Sequence, residues 1–232
     1  MLALMYTDWT VVRRTFLRYL LVTLIVMTPI VAMSNDEGEL SAGVAVAAMS
    51  VMMITIYLAL GLFGVDEANE WEQFRLTLPT SARQVVRSRY ALAALVTAGT
   101  AVVGTVLAVI AQWAILAAHG SIAAPRGVVT IGLTALGAGI VALAFLSIEM
   151  PIVFRLGISK ARMAFTIPFL LCMLLTIGPV RDAIMPILDS VEALANSLGT
   201  PAPLFAGAVA VVALLYLASM RLSEGIYAAR DF

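Results

Sequence analysis

The chain has 232 residues, of which 62% are hydrophobic and 12% charged, with a mean hydropathy of +1.03. Soluble domains carry roughly 25% charged residues, so half that fraction at this hydropathy marks an integral membrane protein. Fourteen basic and fourteen acidic residues cancel, which gives no sign of a nucleic-acid or acidic partner, and no nucleic acid is expected.

Residues 1–15 set Leu2, Leu4, Met5, Trp9 and Val12 against Thr7, Asp8, Thr10, Arg13 and Arg14. Wound as a helix, this gives a greasy stripe beside a polar, basic flank, the pattern of a segment lying in the membrane interface. Arg13, Arg14 and Arg18 ahead of an apolar run imitate a signal peptide. Apolar residues precede these arginines, however, and further spans follow, so the run reads as an anchor and not a cleaved leader.

Six segments approach or exceed the ~20 apolar residues that cross ~30 Å of hydrocarbon: 16–33, 42–63, 91–118, 128–148, 164–180 and 204–220. The fifth is the shortest. Residues 34–39, SNDEGE, form an acidic turn, and 181–203 place Ile187, Leu188, Val191, Leu194 and Leu198 at the spacing of a short surface helix. The expected architecture is all-α: a single domain, 1–232, of six transmembrane helices with an N-terminal interfacial helix and a cytoplasmic helix between the second and third spans. The lone cysteine, Cys172, lies in an apolar run and has no partner for a disulfide within the chain.

Orientation follows from the basic residues, which are held on the cytoplasmic side. One set of flanks carries Arg13, Arg14, Arg18, Arg75, Arg83, Arg87, Arg89, Arg155, Lys160, Arg162, Arg221 and Arg230; the other carries only Arg126 and Arg181. Both termini, residues 65–90 and residues 149–162 are therefore placed inside.

The stretch 65–90, VDEANEWEQFRLTLPTSARQVVRSRY, is the longest strongly polar passage. Its first part reads as a helix whose Trp71, Phe74 and Leu78 share one face, with Glu67, Glu70 and Glu72 over the rest. Leu78-Pro79 ends it, since a residue before proline is pushed out of the helical region. Ser81 with Gln84 has the spacing of a capping box, and the helix it starts runs through Arg83, Arg87 and Tyr90 into the third span. The arginines follow from the positive-inside rule. The four carboxylates Asp66, Glu67, Glu70 and Glu72 do not, and an aromatic stripe beside them suggests a soluble partner.

This stretch resembles the signature segment of small bacterial ABC-2 type transporter permeases, in which an Asp-Glu pair, an aromatic-acid pair, a Leu-Pro turn and a basic helix ending in Lys/Arg-Tyr precede the third span. Asp66, Glu67, Trp71, Glu72, Leu78, Pro79, Arg83, Arg89 and Tyr90 stand in those places, with Arg89 where a lysine is common. A second segment, PIVFRLGISKAR, resembles the family's cytoplasmic passage after the fourth span through Pro151, Phe154, Arg155, Gly157, Lys160 and Arg162. The resemblance implies a permease of an ABC exporter in the bacterial inner membrane. It would work as two copies, or with a paralogue, beside a separate ATPase subunit. Asp66, Glu67, Glu70, Trp71, Glu72, Phe74, Leu78, Pro79 and Arg83 would couple to that ATPase, and Pro151, Arg155, Gly157, Lys160 and Arg162 would form a secondary contact. The substrate path would lie between permeases, suiting an amphiphilic peptide, lipid-like molecule or drug.

A phosphate-binding loop needs Gly-Lys-Ser/Thr, but the only lysine, Lys160, stands between Ser159 and Ala161. The chain therefore does not bind and split ATP by that route; the resemblance implies ATP and magnesium on the partner ATPase, and this chain is expected to hold no cofactor, no metal and no catalytic residue. His119 reads as an interfacial polar residue. Glu149, at the end of the fourth span, is expected to pair with Arg155 or a neighbouring span. Gly99, Gly104, Gly132, Gly137 and Gly139 read as points of close helix packing. Two alternatives stand beside export: a non-transporting scaffold or immunity protein, and a membrane-bound enzyme. The enzyme would need His, Asp or Glu clustered near one interface, which the sequence does not supply.

Overall fold

The computed structural model describes residues 8–10, 13, 15–25, 39–68, 81–120, 125, 127–158, 160, 161, 186 and 202–229. Regular structure among the described residues is helical throughout, with no strand. Four long helices dominate: α1 (Glu39–Ala68), α2 (Ala82–Ala118), α3 (Val128–Leu156) and α4 (Ala202–Ala228). Each is long and apolar enough to cross a membrane, and they coincide with the expected second, third, fourth and sixth spans. Residues 15–25 are helical and cover the first part of the expected first span. The remainder of that span, the fifth span and all but Pro186 of the outer surface helix fall outside the described residues. So does most of the interfacial helix, of which residues 8–10 and 13 are helical.

In hydrocarbon every backbone N–H and C=O must be satisfied within the segment, which leaves the helix as the structure these apolar runs can adopt. Leu95, Val102, Trp113, Val129 and Leu214 project outward, as suits surfaces that meet lipid. Packing assigns the roles. Helices α2 and α3 each pack against all three others, whereas α1 and α4 are joined through them. Phe16, Tyr19 and Leu20 of the N-terminal helical segment lie on Ile54, Leu58 and Leu62 of α1 and Leu92 and Val96 of α2. Tyr19 stacks on Tyr57 at 5.3 Å.

At mid-height the helices approach through small side chains, among them Ala47 of α1, Ala101 and Ala108 of α2 and Ala135 of α3. A Cβ on Gly104 would lie 2.7 Å from Val51 Cγ2 and 3.2 Å from the Ala47 carbonyl oxygen, and one on Gly139 would lie 3.1 Å from Thr97 Cγ2. Without a hydrophobic drive between helices in lipid, such close approach supplies the attraction. Gly99, Gly132 and Gly137 have nothing within 4 Å of that position, so only two of the five expected packing glycines serve that purpose. The Thr55 hydroxyl meets the Thr100 hydroxyl at 2.6 Å, adding a polar link between α1 and α2.

Helices α3 and α4 run past the expected ends of their spans, while α1 and α2 extend into the polar stretch as the sequence reading expects. Helix α1 continues to Ala68, carrying Asp66 and Glu67 on its last turn. Helix α2 starts on the predicted capping box: the Gln84 N–H donates to Ser81 Oγ and the Ser81 N–H to Gln84 Oε1. At 1.5 Å per residue its 37 residues make about 55 Å, well beyond the hydrocarbon. Helix α3 passes through Pro151 to Leu156. Proline has no N–H for the Ser147 carbonyl four residues back; Ser219 of α4 donates its hydroxyl to that carbonyl instead, at 2.5 Å. Gly157 then ends α3 at φ +75°, a conformation that side chains with a Cβ rarely adopt.

Gly104→Ala is expected to destabilise the bundle by about 2 kcal/mol through overpacking, whereas Gly99→Ala should stay within about 0.5 kcal/mol of the native protein. Unfolding by SDS in mixed micelles measures both.

Candidate functional site at the charged end of the helices

The two sequence segments singled out above meet in space. Phe154 packs edge-on against Phe63 of α1 at 5.0 Å and against Tyr227 of α4 at 5.7 Å, and lies parallel to Tyr90 of α2 at 6.5 Å. One aromatic side chain of α3 thus touches the other three helices. Around it close Leu60, Val85, Val86, Met150 and Ile158, all buried.

Successive residues of α2 turn by about 100°, which sends its basic residues in different directions. Arg83 is exposed. Arg87 donates its Nε–H to Glu224 Oε1 on α4 at 2.6 Å, and Arg221 approaches the other oxygen of that carboxylate at 3.5 Å. Arg89 points inward: its side chain is 1% exposed and pairs with Asp66 of α1, with Asp8 of the N-terminal segment at 3.2 Å, and with the Phe63 ring face at 5.2 Å. Among the described residues two carboxylates face this guanidinium, in surroundings of low dielectric where Coulomb terms are strong.

Tyr90 carries a chain of hydroxyls. Ser219 gives its single hydrogen to the Ser147 carbonyl, so the Tyr90 hydroxyl donates to Ser219 and accepts from Ser223, both at 2.8 Å. Tyr216 donates to the Tyr90 carbonyl at 2.8 Å. These contacts lock α4 to α2 and to the proline site of α3.

Glu67 accepts the Ile158 N–H at 2.8 Å, joining the end of α1 to the turn after α3. Gly157 lies beneath this bond, where a Cβ would sit 3.5 Å from Glu67 Oε2.

Of the residues that the sequence assigns to ATPase coupling, Asp66, Glu67 and Arg83 are at this end; Glu70, Trp71, Glu72, Phe74, Leu78 and Pro79 lie outside the described residues. Of the secondary set, Arg155 and Lys160 are exposed, Gly157 caps α3 and Pro151 is buried inside it; Arg162 lies outside the described residues. Sequence reading passed over Asp8, Arg87 and Glu224 as pairing groups, and Tyr216, Ser219 and Ser223 altogether. Tyr216, Ser219, Ser223 and Tyr227 recur at the three-to-four-residue spacing of one helix face, a signal the span's apolar average hides.

Glu149 is buried at 3% exposure, and its Oε2 has no hydrogen-bond partner among the described residues; it does not pair with Arg155, which is exposed. His119 uses Nδ1 against the Ile115 carbonyl at 2.9 Å at the far end of α2, as an interfacial cap residue would. Among the described residues no His, Cys, Asp and Glu group could hold a metal ion. The arrangement links the four helices and the N-terminal segment through ion pairs and hydrogen bonds.

Ser219→Ala is expected to cost about 1 kcal/mol, by leaving the Ser147 carbonyl and the Tyr90 hydroxyl each one partner short. In a Pro151→Ala background the restored N–H answers that carbonyl, so the cost should shrink. A double-mutant cycle read by SDS unfolding checks the difference.

The family model for ABC-2 family transporter proteins matches residues 3–228. No curated protein and no solved structure matches the chain. With nearly its whole length matched, and with the described parts of both signature segments at one end of a helical bundle, the chain belongs to the ABC-2 transporter family.

Proposed function

We propose that this protein is the membrane permease subunit of an ABC exporter, docking a separate ATPase at the charged end of its helices. The reading rests on the convergence of the two signature segments at that end, where Phe154 of one meets Phe63 and Tyr90 of the other's helices. Helices α1 and α2 both project there, and the residues between them, 69–80, carry the Trp-Glu pair and the Leu-Pro turn. Trp71, Phe74, Leu78 and Pro79 supply an apolar contact for a groove on the ATPase, and Glu70 and Glu72 its polar rim. Arg83, Arg155 and Lys160, exposed at the same end, widen the contact.

The charged end faces the cytoplasm of a bacterial cell, by the twelve-to-two distribution of basic residues. ATP and magnesium sit on the partner, whose closure biases this subunit between two arrangements. A second permease, identical or related, completes a path for an amphiphilic cargo. The apolar crevice between α3 and α4, lined by Ile140, Leu143, Val212 and Tyr216, is in keeping with apolar walls.

The test is co-purification in detergent with the ATPase encoded beside this chain. The native protein should retain the ATPase, and Trp71→Ala/Glu72→Ala should retain about tenfold less, with membrane insertion intact. A native chain that binds no ATPase would sink the reading.

A further inference from the structure

Asp66 and Glu67 are adjacent acids at the end of α1, and each grips a different element. Asp66 pairs with Arg89, whose side chain is 1% exposed, and Arg89 also holds Asp8. That ties α1 to α2 and to the N-terminal segment. Glu67 holds the Ile158 N–H at 2.8 Å, and Ile158 is itself buried among Val85, Val86 and Phe154. That ties α1 to the turn following α3. Gly157, at φ +75°, sets that turn at an angle to α3 and brings the N–H to the carboxylate.

From these contacts we infer that Asp66, Glu67 and Arg89 form an internal transmission joint rather than part of the ATPase contact surface. A carboxylate committed to a buried guanidinium is poorly available to a partner, because leaving that guanidinium strands its charge in a medium of low dielectric. Glu67 is exposed, and its Oε2 is engaged by a charge-assisted bond from the Ile158 N–H. The bonds are so placed that a displacement of the ends of α1 and α2 moves both as one body. Through Glu67 the same displacement reaches the end of α3, and through Asp8 the N-terminal segment. Arg89 and the two acids are positioning residues for ATP-driven movement, and the inference rests on the permease reading above.

The test uses the full chain with its ATPase in proteoliposomes. The one cysteine is replaced (Cys172→Ser), and Val128→Cys provides a reporter at the far end of α3, where Val128 is exposed. Labelling by a membrane-impermeant maleimide is compared without nucleotide and after trapping with ATP, magnesium and vanadate. The native joint should change the labelling rate about fivefold or more. Asp66→Asn leaves Arg89 its pairing with Asp8, and Glu67→Ala leaves the Arg89 cluster whole, so both should fold. Each should keep ATPase binding and ATP hydrolysis while losing the nucleotide-dependent change. Variants that respond as the native protein does would overturn the joint. So would variants that lose the ATPase itself, since the acids would then belong to the contact surface, and so would a native complex whose far end ignores nucleotide. A native chain that recruits no ATPase overturns the permease reading and the joint with it.

Discussion

The arrangement at the charged end depends on one buried guanidinium. Arg89 stands between Asp8 and Asp66 with its side chain almost wholly shielded, and the Phe63 ring covers one face of it. An unpaired charge there would be costly enough to unfold the site, so three chain segments far apart in sequence must converge on it. The convergence fixes the angle at which α1 and α2 leave the bundle. The aromatic cluster around Phe154 then has defined walls in which to pack.

Away from that end the bundle is held by different physics. Lipid is as apolar as the side chains it meets, so the helices gain little by hiding leucine. They gain by approaching until backbone and small residues touch. Gly104 against Val51 and Ala47, and Gly139 against Thr97, give a rigid α1–α2–α3 core. Among the described helices α4 packs chiefly on α3 and α2, and hydroxyls add to that packing. Ser219 takes the carbonyl that Pro151 leaves open, and Tyr90 and Ser223 complete the chain. A proline that would break a soluble helix is accommodated by a neighbour's side chain. The same bond makes α4 sensitive to the proline's position.

The charged end and the middle of the bundle are therefore held by different kinds of contact. The charged end carries ion pairs and hydrogen bonds between elements. Mid-height carries closely approached small residues. The ends of α1 and α2 are thereby bonded to the turn after α3 through Glu67 and to α4 through Arg87 and Glu224.

Much of this was legible in the sequence. Hydropathy alone determined that the chain crosses a membrane as helices, because an apolar run of that length has no other way to satisfy its backbone in lipid. Ser81 and Gln84 determined where α2 begins, since a capping box is local chemistry. The two signature segments determined the family. Helix ends were misplaced where the stop depended on a neighbour: α3 survives Pro151 because Ser219 lies across from it. Partners across the bundle were out of reach for the same reason. Nothing in one dimension says that Asp8 meets an arginine 81 positions on, or that Glu67 meets the N–H of Ile158. Three of the carboxylate and hydroxyl groups that matter most, Asp8, Ser219 and Glu224, looked in sequence like ordinary flank or span residues. Only packing in three dimensions decided that they are partners, because burial is what turns a commonplace charge or hydroxyl into one that must be paired.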